Sequence, residues 1–183
     1  MKNKLKHMDR ILYTHSSGTS LIELLIYTGI LVLIVSAVGS TTLALSRIYR
    51  TIVAEQTVEE AGHVALERIL RETRDAVSIN AGSSDFATTT GRLTLNAIDE
   101  NEDAIELQFY LSGQTLRLRE DAADLGPLVS GDARVTRFYL TSITTTLSQA
   151  VKVEMTVESG TSTSYRSKNF YGTAVVRGSY LDQ

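Results

Sequence analysis

From Leu21 to Leu45 the chain runs for 25 residues with Glu23 as its only charge. At about 1.5 Å per residue, a helix of that length covers roughly 37 Å, enough to cross the hydrocarbon of a bilayer with some tilt. A helix buried in a soluble core carries a charged face, and this run has none before Arg47. The run therefore predicts a transmembrane helix. Glu23 is out of place inside it, because a carboxylate in lipid is costly and is kept only where it has a partner and a use.

The residues ahead of the run are basic, with Lys2, Lys4, Lys6 and Arg10 against Asp9. Such a leader holds the N-terminus in the cytoplasm and places the C-terminal part outside. The 183 residues carry a formal charge of -3, so the basic leader conceals a more acidic remainder. That remainder has no Trp and few Lys, and no direct nucleic-acid contact is expected of it. The absence of Cys excludes disulfides, thiolate metal sites and a cysteine nucleophile. A cleaved secretory signal competes with the membrane anchor, since Ala37-Val38-Gly39 fits a small-residue cleavage site. Against it, apolar residues keep helical spacing through Leu43, Ile48, Ile52 and Val53, where a signal peptide breaks into extended chain.

The segment Gly18-Thr19-Ser20-Leu21-Ile22-Glu23-Leu24-Leu25-Ile26, behind a short basic leader, resembles the prepilin-type signal of type IV pilins and type II secretion pseudopilins. The resemblance implies cleavage after Gly18 by a membrane-embedded prepilin peptidase and N-methylation of the new amino group on Thr19. The family usually has phenylalanine where this chain has Thr19. Glu23 then matches the acid that pairs with the amine of a neighbouring subunit and sets axial register in a filament. Physical chemistry is consistent with each part. Glycine puts no side chain in the way of a protease, and a carboxylate left unpaired in lipid favours any docking that satisfies it. Thr19 of the same chain lies one helical turn away and offers a competing amine.

On this resemblance the chain is a non-enzymatic structural subunit, a minor pilin or pseudopilin. Its implied partners are the prepilin peptidase, other pilin or pseudopilin subunits, the assembly platform and the membrane. Its implied location is the inner (cytoplasmic) membrane, single-pass with the C-terminal domain outside, and after assembly a pilus or pseudopilus. The alternative is a signal-anchored envelope protein whose β-rich outer domain serves adhesion or structure.

Four segments are expected: a leader at 1–18, a transmembrane helix at 19–45, an outer half of the same helix at 46–78, and a β-rich globular domain at 79–183. Ile48, Ile52, Val58, Ala61, Ala65, Ile69, Leu70 and Val77 keep helical spacing, and Glu67 with Arg71 and Arg68 with Glu72 add charged pairs along the solvated face. Small residues at Gly29, Ser36, Ser40 and Ala44 form a stripe along the membrane half. Strands are read at Leu93–Ala97, Ile105–Leu111, Leu116–Leu118, Val135–Thr141, Val151–Val157 and Phe170–Arg177, with loops at Asn80–Gly91 and Glu120–Ala133. The fold class is α+β, a long N-terminal helix packed against a C-terminal antiparallel meander, which is the architecture the pilin resemblance implies. The stretch Gly113–Arg119, then Pro127-Leu128, then Val135 with Phe138, further resembles J-type pseudopilins and W-type minor pilins.

Catalytic and cofactor chemistry finds no pattern. Asp99-Glu100-Asn101-Glu102-Asp103 begins like a calcium loop, but the glycine and bidentate glutamate of an EF-hand would fall at Ala104 and Tyr110. Glu59, His63 and Glu67 share a helix face, yet three ligands along one straight helix converge poorly on an ion. His7 and His15 lie in the leader, so a processed chain keeps His63 as its sole imidazole. No catalytic site, metal site or cofactor is expected.

Overall fold

The computed structural model describes residues 18, 20–121, 123–129, 131–146 and 148–177. Helix α1 spans Leu21–Asp75. Eight strands follow among the described residues: β1 Ser78–Ile79, β2 Arg92–Ile98, β3 Ala104–Ser112, β4 Thr115–Glu120, β5 Ala123–Pro127, β6 Ala133–Thr144, β7 Gln149–Ser159 and β8 Arg166–Val175. The class is α+β. The chain divides into two units, Met1–Ala44 and Leu45–Gln183.

In the first unit the large apolar side chains of α1 are exposed. An 18-residue window of the helix has a mean hydropathy of 2.5 with none of it buried, so α1 is long and apolar enough to cross a membrane. Its threonine hydroxyls are satisfied within the helix. Thr28 donates to the Leu24 carbonyl at 2.8 Å, Thr41 to that of Ala37 at 2.8 Å and Thr42 to that of Val38 at 2.9 Å. Back-bonding of this kind leaves none of these three hydroxyls seeking a partner in an apolar solvent.

The second unit has a single apolar core. Helix α1 contributes a stripe of buried residues, Ala54, Val58, Ala61, Gly62, Ala65, Ile69 and Thr73, spaced for one helical face. The stripe faces the core, and the helix meets β8 at Gly62. The ring of Phe170 packs over Gly62, while Gly172 on the same strand makes room for Leu66 and Leu70. Small residues here let helix and strand approach more closely than larger side chains would permit. Lys168 of β8 and Glu59 of α1 form an ion pair at the rim of this contact.

The sheet differs from a single meander. Strands β1–β5 form one antiparallel sheet in sequential order, and β6–β8 form a second. The two are joined where the segment before β2 runs beside β6. Gly91 N–H donates to the Phe138 carbonyl at 2.7 Å, and Phe138 N–H returns a bond to Thr89 at 2.9 Å. Val135, Phe138 and Leu140 of β6 are all fully buried, although strict alternation would turn Val135 away from the other two. A β-bulge between Val135 and Arg137 inserts one residue and restores the inward direction.

Three boundaries depart from the sequence expectation. Helix α1 ends at Asp75 rather than near 78, because Val77 N–H bonds to the Asn96 carbonyl at 2.8 Å and the chain enters β1 beside β2. Part of the expected loop at Glu120–Ala133 is strand β5, whose Pro127 is tolerated because β5 lies at the sheet edge, where no further strand needs the N–H that proline lacks. Strand β8 begins at Arg166, four residues ahead of Phe170, and ends at Val175.

A methyl group at Gly62 would fall inside the Phe170 ring. Gly62→Ala should therefore lower stability by about 1–3 kcal/mol through overpacking, despite the roughly 1 kcal/mol that alanine adds to helix propensity. The check is the urea midpoint of the full chain in detergent, and Phe170→Leu in the same chain should recover part of the loss.

Candidate functional site

The residues singled out at the N-terminus fall at the start of α1. Gly18 is exposed, and among the described residues no atom lies within 4 Å of where a Cβ would stand. Thr19, like residues 1–17, lies outside the described residues. The helix opens on Ser20, whose carbonyl accepts the Leu24 N–H at 3.1 Å. Serine is favoured at such a cap, and Glu23 in the first turn complements the positive end of the helix dipole.

Glu23 is half-buried where its neighbours on α1 are exposed. The covering group is Tyr27, whose hydroxyl donates to Glu23 Oε1 at 2.7 Å. The spacing of four residues brings the phenol over the carboxylate on one helix face. The acid thus has a neutral partner in its own chain, a role that sequence reading assigned only to amines. The spacing was visible in the sequence, but tyrosine in an apolar run reads as one more membrane residue until its hydroxyl is placed.

In the second unit the charged groups form local pairs. Asp124 of β5 accepts from Arg117 of β4, with Nε at 2.9 Å and a terminal nitrogen at 2.7 Å, and from the Gly126 N–H at 2.9 Å. Arg117 first, then the backbone donor, holds its carboxyl below the usual aspartate value. Glu154 of β7 is lowered likewise, chiefly by its hydrogen bond from Lys152 at 2.8 Å, with Arg137 at 3.4 Å adding to it. Asp99 is lowered by the Asp103 N–H at 2.8 Å, and it also accepts the Asn101 N–H at 2.8 Å. Its carboxylate thereby closes the β2–β3 turn on itself.

His63 Nε2 stands 3.5 Å from Glu59, and its ring meets Phe170 edge-on with centroids 5.3 Å apart. Among the described residues no group of three or more His, Asp or Glu is placed to hold a metal ion. The segments from Gly113 to Arg119, Leu128 and Val135 are brought together: Leu128 N–H bonds to Leu116 and Val135 N–H to Gln114, both at 2.8 Å. No family model matches the chain, and neither a curated protein nor a solved structure matches it.

Asp124 carries a pH consequence. Its stabilising contribution is complete above its ordinary value of 3.8 and is lost as pH falls through the lower folded value, so acidification below about pH 4 weakens the β4–β5 hairpin. In Asp124→Asn the drop in urea midpoint between about pH 6 and about pH 3 should be smaller than in the native chain, because one acid-labile pair has been removed.

Proposed function

We propose that the chain is a minor pilin or pseudopilin, a structural subunit cleaved after Gly18 and assembled through its N-terminal helix into a type IV pilus or secretion pseudopilus. The observation that carries this reading is the position of Glu23: a single carboxylate, five residues after Gly18, in the first turn of an exposed helix apolar enough to cross a membrane. In lipid such an acid is tolerable while Tyr27 donates to it, and a positive amine is a stronger partner than a phenol. Exchange of the Tyr27 hydroxyl for the amine of an adjacent subunit's first residue would favour docking and fix register. The β-rich unit packed on the outer half of α1 is the part such a filament would display.

Supporting this reading, Gly18 is exposed, and among the described residues nothing crowds it, as a protease would need. The peptidase, the neighbouring subunits, the assembly platform and the inner membrane belong to the same proposal, as does N-methylation of Thr19.

Intact mass of the purified chain should show a mature N-terminus at Thr19, and Gly18→Val should abolish that processing. An intact leader in the native chain favours the signal-anchored envelope protein, and a start near Ser40 favours a secretory signal. Glu23→Ala should be processed normally while its recovery in sheared filaments falls at least about tenfold, the cost of losing one charge-assisted contact in lipid.

A further inference from the structure

Several arginines of the second unit pair with a carboxylate. Arg68 meets Glu72, Arg117 meets Asp124 and Arg137 meets Glu154. Arg47 and Arg50, like Arg71 and Arg74, have no carboxylate partner among the described residues, but of these four only Arg47 and Arg50 face a recess together. Arg50 reaches only Ser46 on its own helix, with Nε 3.4 Å from the carbonyl and a terminal nitrogen 3.3 Å from the hydroxyl. Three residues apart, the two guanidinium groups share one face of α1. They border a recess of about 480 Å³ whose opposite wall is the loop Thr161–Ser164.

No acid lines that recess. Its loop wall is held in shape from within. Gly160 has φ of +78°, with the Ser164 carbonyl where a Cβ would stand, and Ser162 has φ of +50°, which L-residues rarely adopt. The Ser164 hydroxyl donates to the Thr161 carbonyl at 3.0 Å. The hydroxyls of Ser162 and Thr163 have no protein partner among the described residues. An adjoining cavity of about 370 Å³ shares Arg50, Thr161 and Ser164 and carries Asp132 with Arg134, opposite charges that balance. The positive excess therefore sits in the recess between Arg47 and the loop.

Position selects the ligand. Leu45 ends the apolar run, and Arg47 and Arg50 follow it by about 3 and 7.5 Å along the helix axis. A headgroup layer is roughly 5–8 Å deep on each side of the hydrocarbon. The recess thus meets the depth at which phospholipid phosphates lie, with two fork-shaped cations and two free hydroxyls to receive one.

We infer that the recess binds the phosphate of an anionic phospholipid headgroup, with Arg47 and Arg50 on its non-bridging oxygens and Ser162 and Thr163 donating hydroxyl bonds. This rests on α1 crossing a membrane and not on filament assembly. Free inorganic phosphate offers the same oxygens, and the two sources separate in the test.

The full chain, first shown to float with phosphatidylcholine vesicles, is taken into dodecyl maltoside with equal phosphatidylglycerol and phosphatidylcholine of identical acyl chains. Lipid retained on the protein is read by native mass spectrometry, with inorganic phosphate added in a second arm. Phosphatidylglycerol should be enriched roughly tenfold, falling to near parity in Arg47→Gln with Arg50→Gln. The enrichment should fall at least by half in Arg47→Lys with Arg50→Lys, and in Ser162→Gly with Thr163→Val, whose charges are unchanged. General attraction to a basic helix would leave those two variants at the native ratio, and that result overturns the site. Retention of inorganic phosphate without preference for phosphatidylglycerol overturns it as well. A chain that floats but shows no preference refutes the recess alone, whereas one that fails to float refutes the membrane reading and the recess together.

Discussion

The close approach of α1 to β8 is the contact on which the folded unit depends. Gly62 leaves space for the Phe170 ring, and Gly172 leaves space for Leu66 and Leu70, so the two elements interlock in both directions. Burying a ring such as Phe170 contributes about 1.5–3 kcal/mol. Ala54, Ala61 and Ala65 keep the same helix face small and buried. Because β8 pairs with β7 and β7 with β6, a shift of the helix would be felt through the second sheet and into the shared core. The bulge in β6 serves that core too, since it turns Val135 inward beside Phe138.

One helix carries two surface patterns. From Leu21 to Ala44 its large apolar side chains are exposed, and its threonine hydroxyls are folded back onto carbonyls one turn earlier. From Ala54 onward the same backbone carries an ordinary amphipathic pattern, with a small-residue stripe inward and Glu59, His63 and Arg68 outward. Glu23 belongs to neither pattern. Its bond to Tyr27 shows how a carboxylate can be held in an apolar setting by a neutral donor, which is weaker than a charged one and so can be exchanged for it.

Two arginines stand together at the transition between the two patterns with no acid beside them. Arg47 and Arg50 lack the carboxylates that accompany Arg68, Arg117 and Arg137, and the loop facing them is polar and tightly turned. Elsewhere in the second unit the named ion pairs are exposed or half-exposed and contribute little individually. They organise hairpins locally, as Arg117 and Asp124 do between β4 and β5.

Much of the architecture was legible in the sequence because its signals are local. A 25-residue apolar run determines a helix able to cross a membrane, since a backbone in lipid must satisfy its own hydrogen bonds. Alternation determined β2, β3, β4 and β7 near their observed positions, and the Gly18–Glu23 spacing stood out as a unit. Local patterns could not place β5, which has only Leu125 among its large apolar residues and is held by pairing with β4. Nor could they divide the strands into two sheets, turn Val135 inward through a bulge, or set Thr161–Ser164 opposite Arg47. Those features arise from contacts between residues far apart in the chain, where packing and backbone pairing decide what periodicity leaves open.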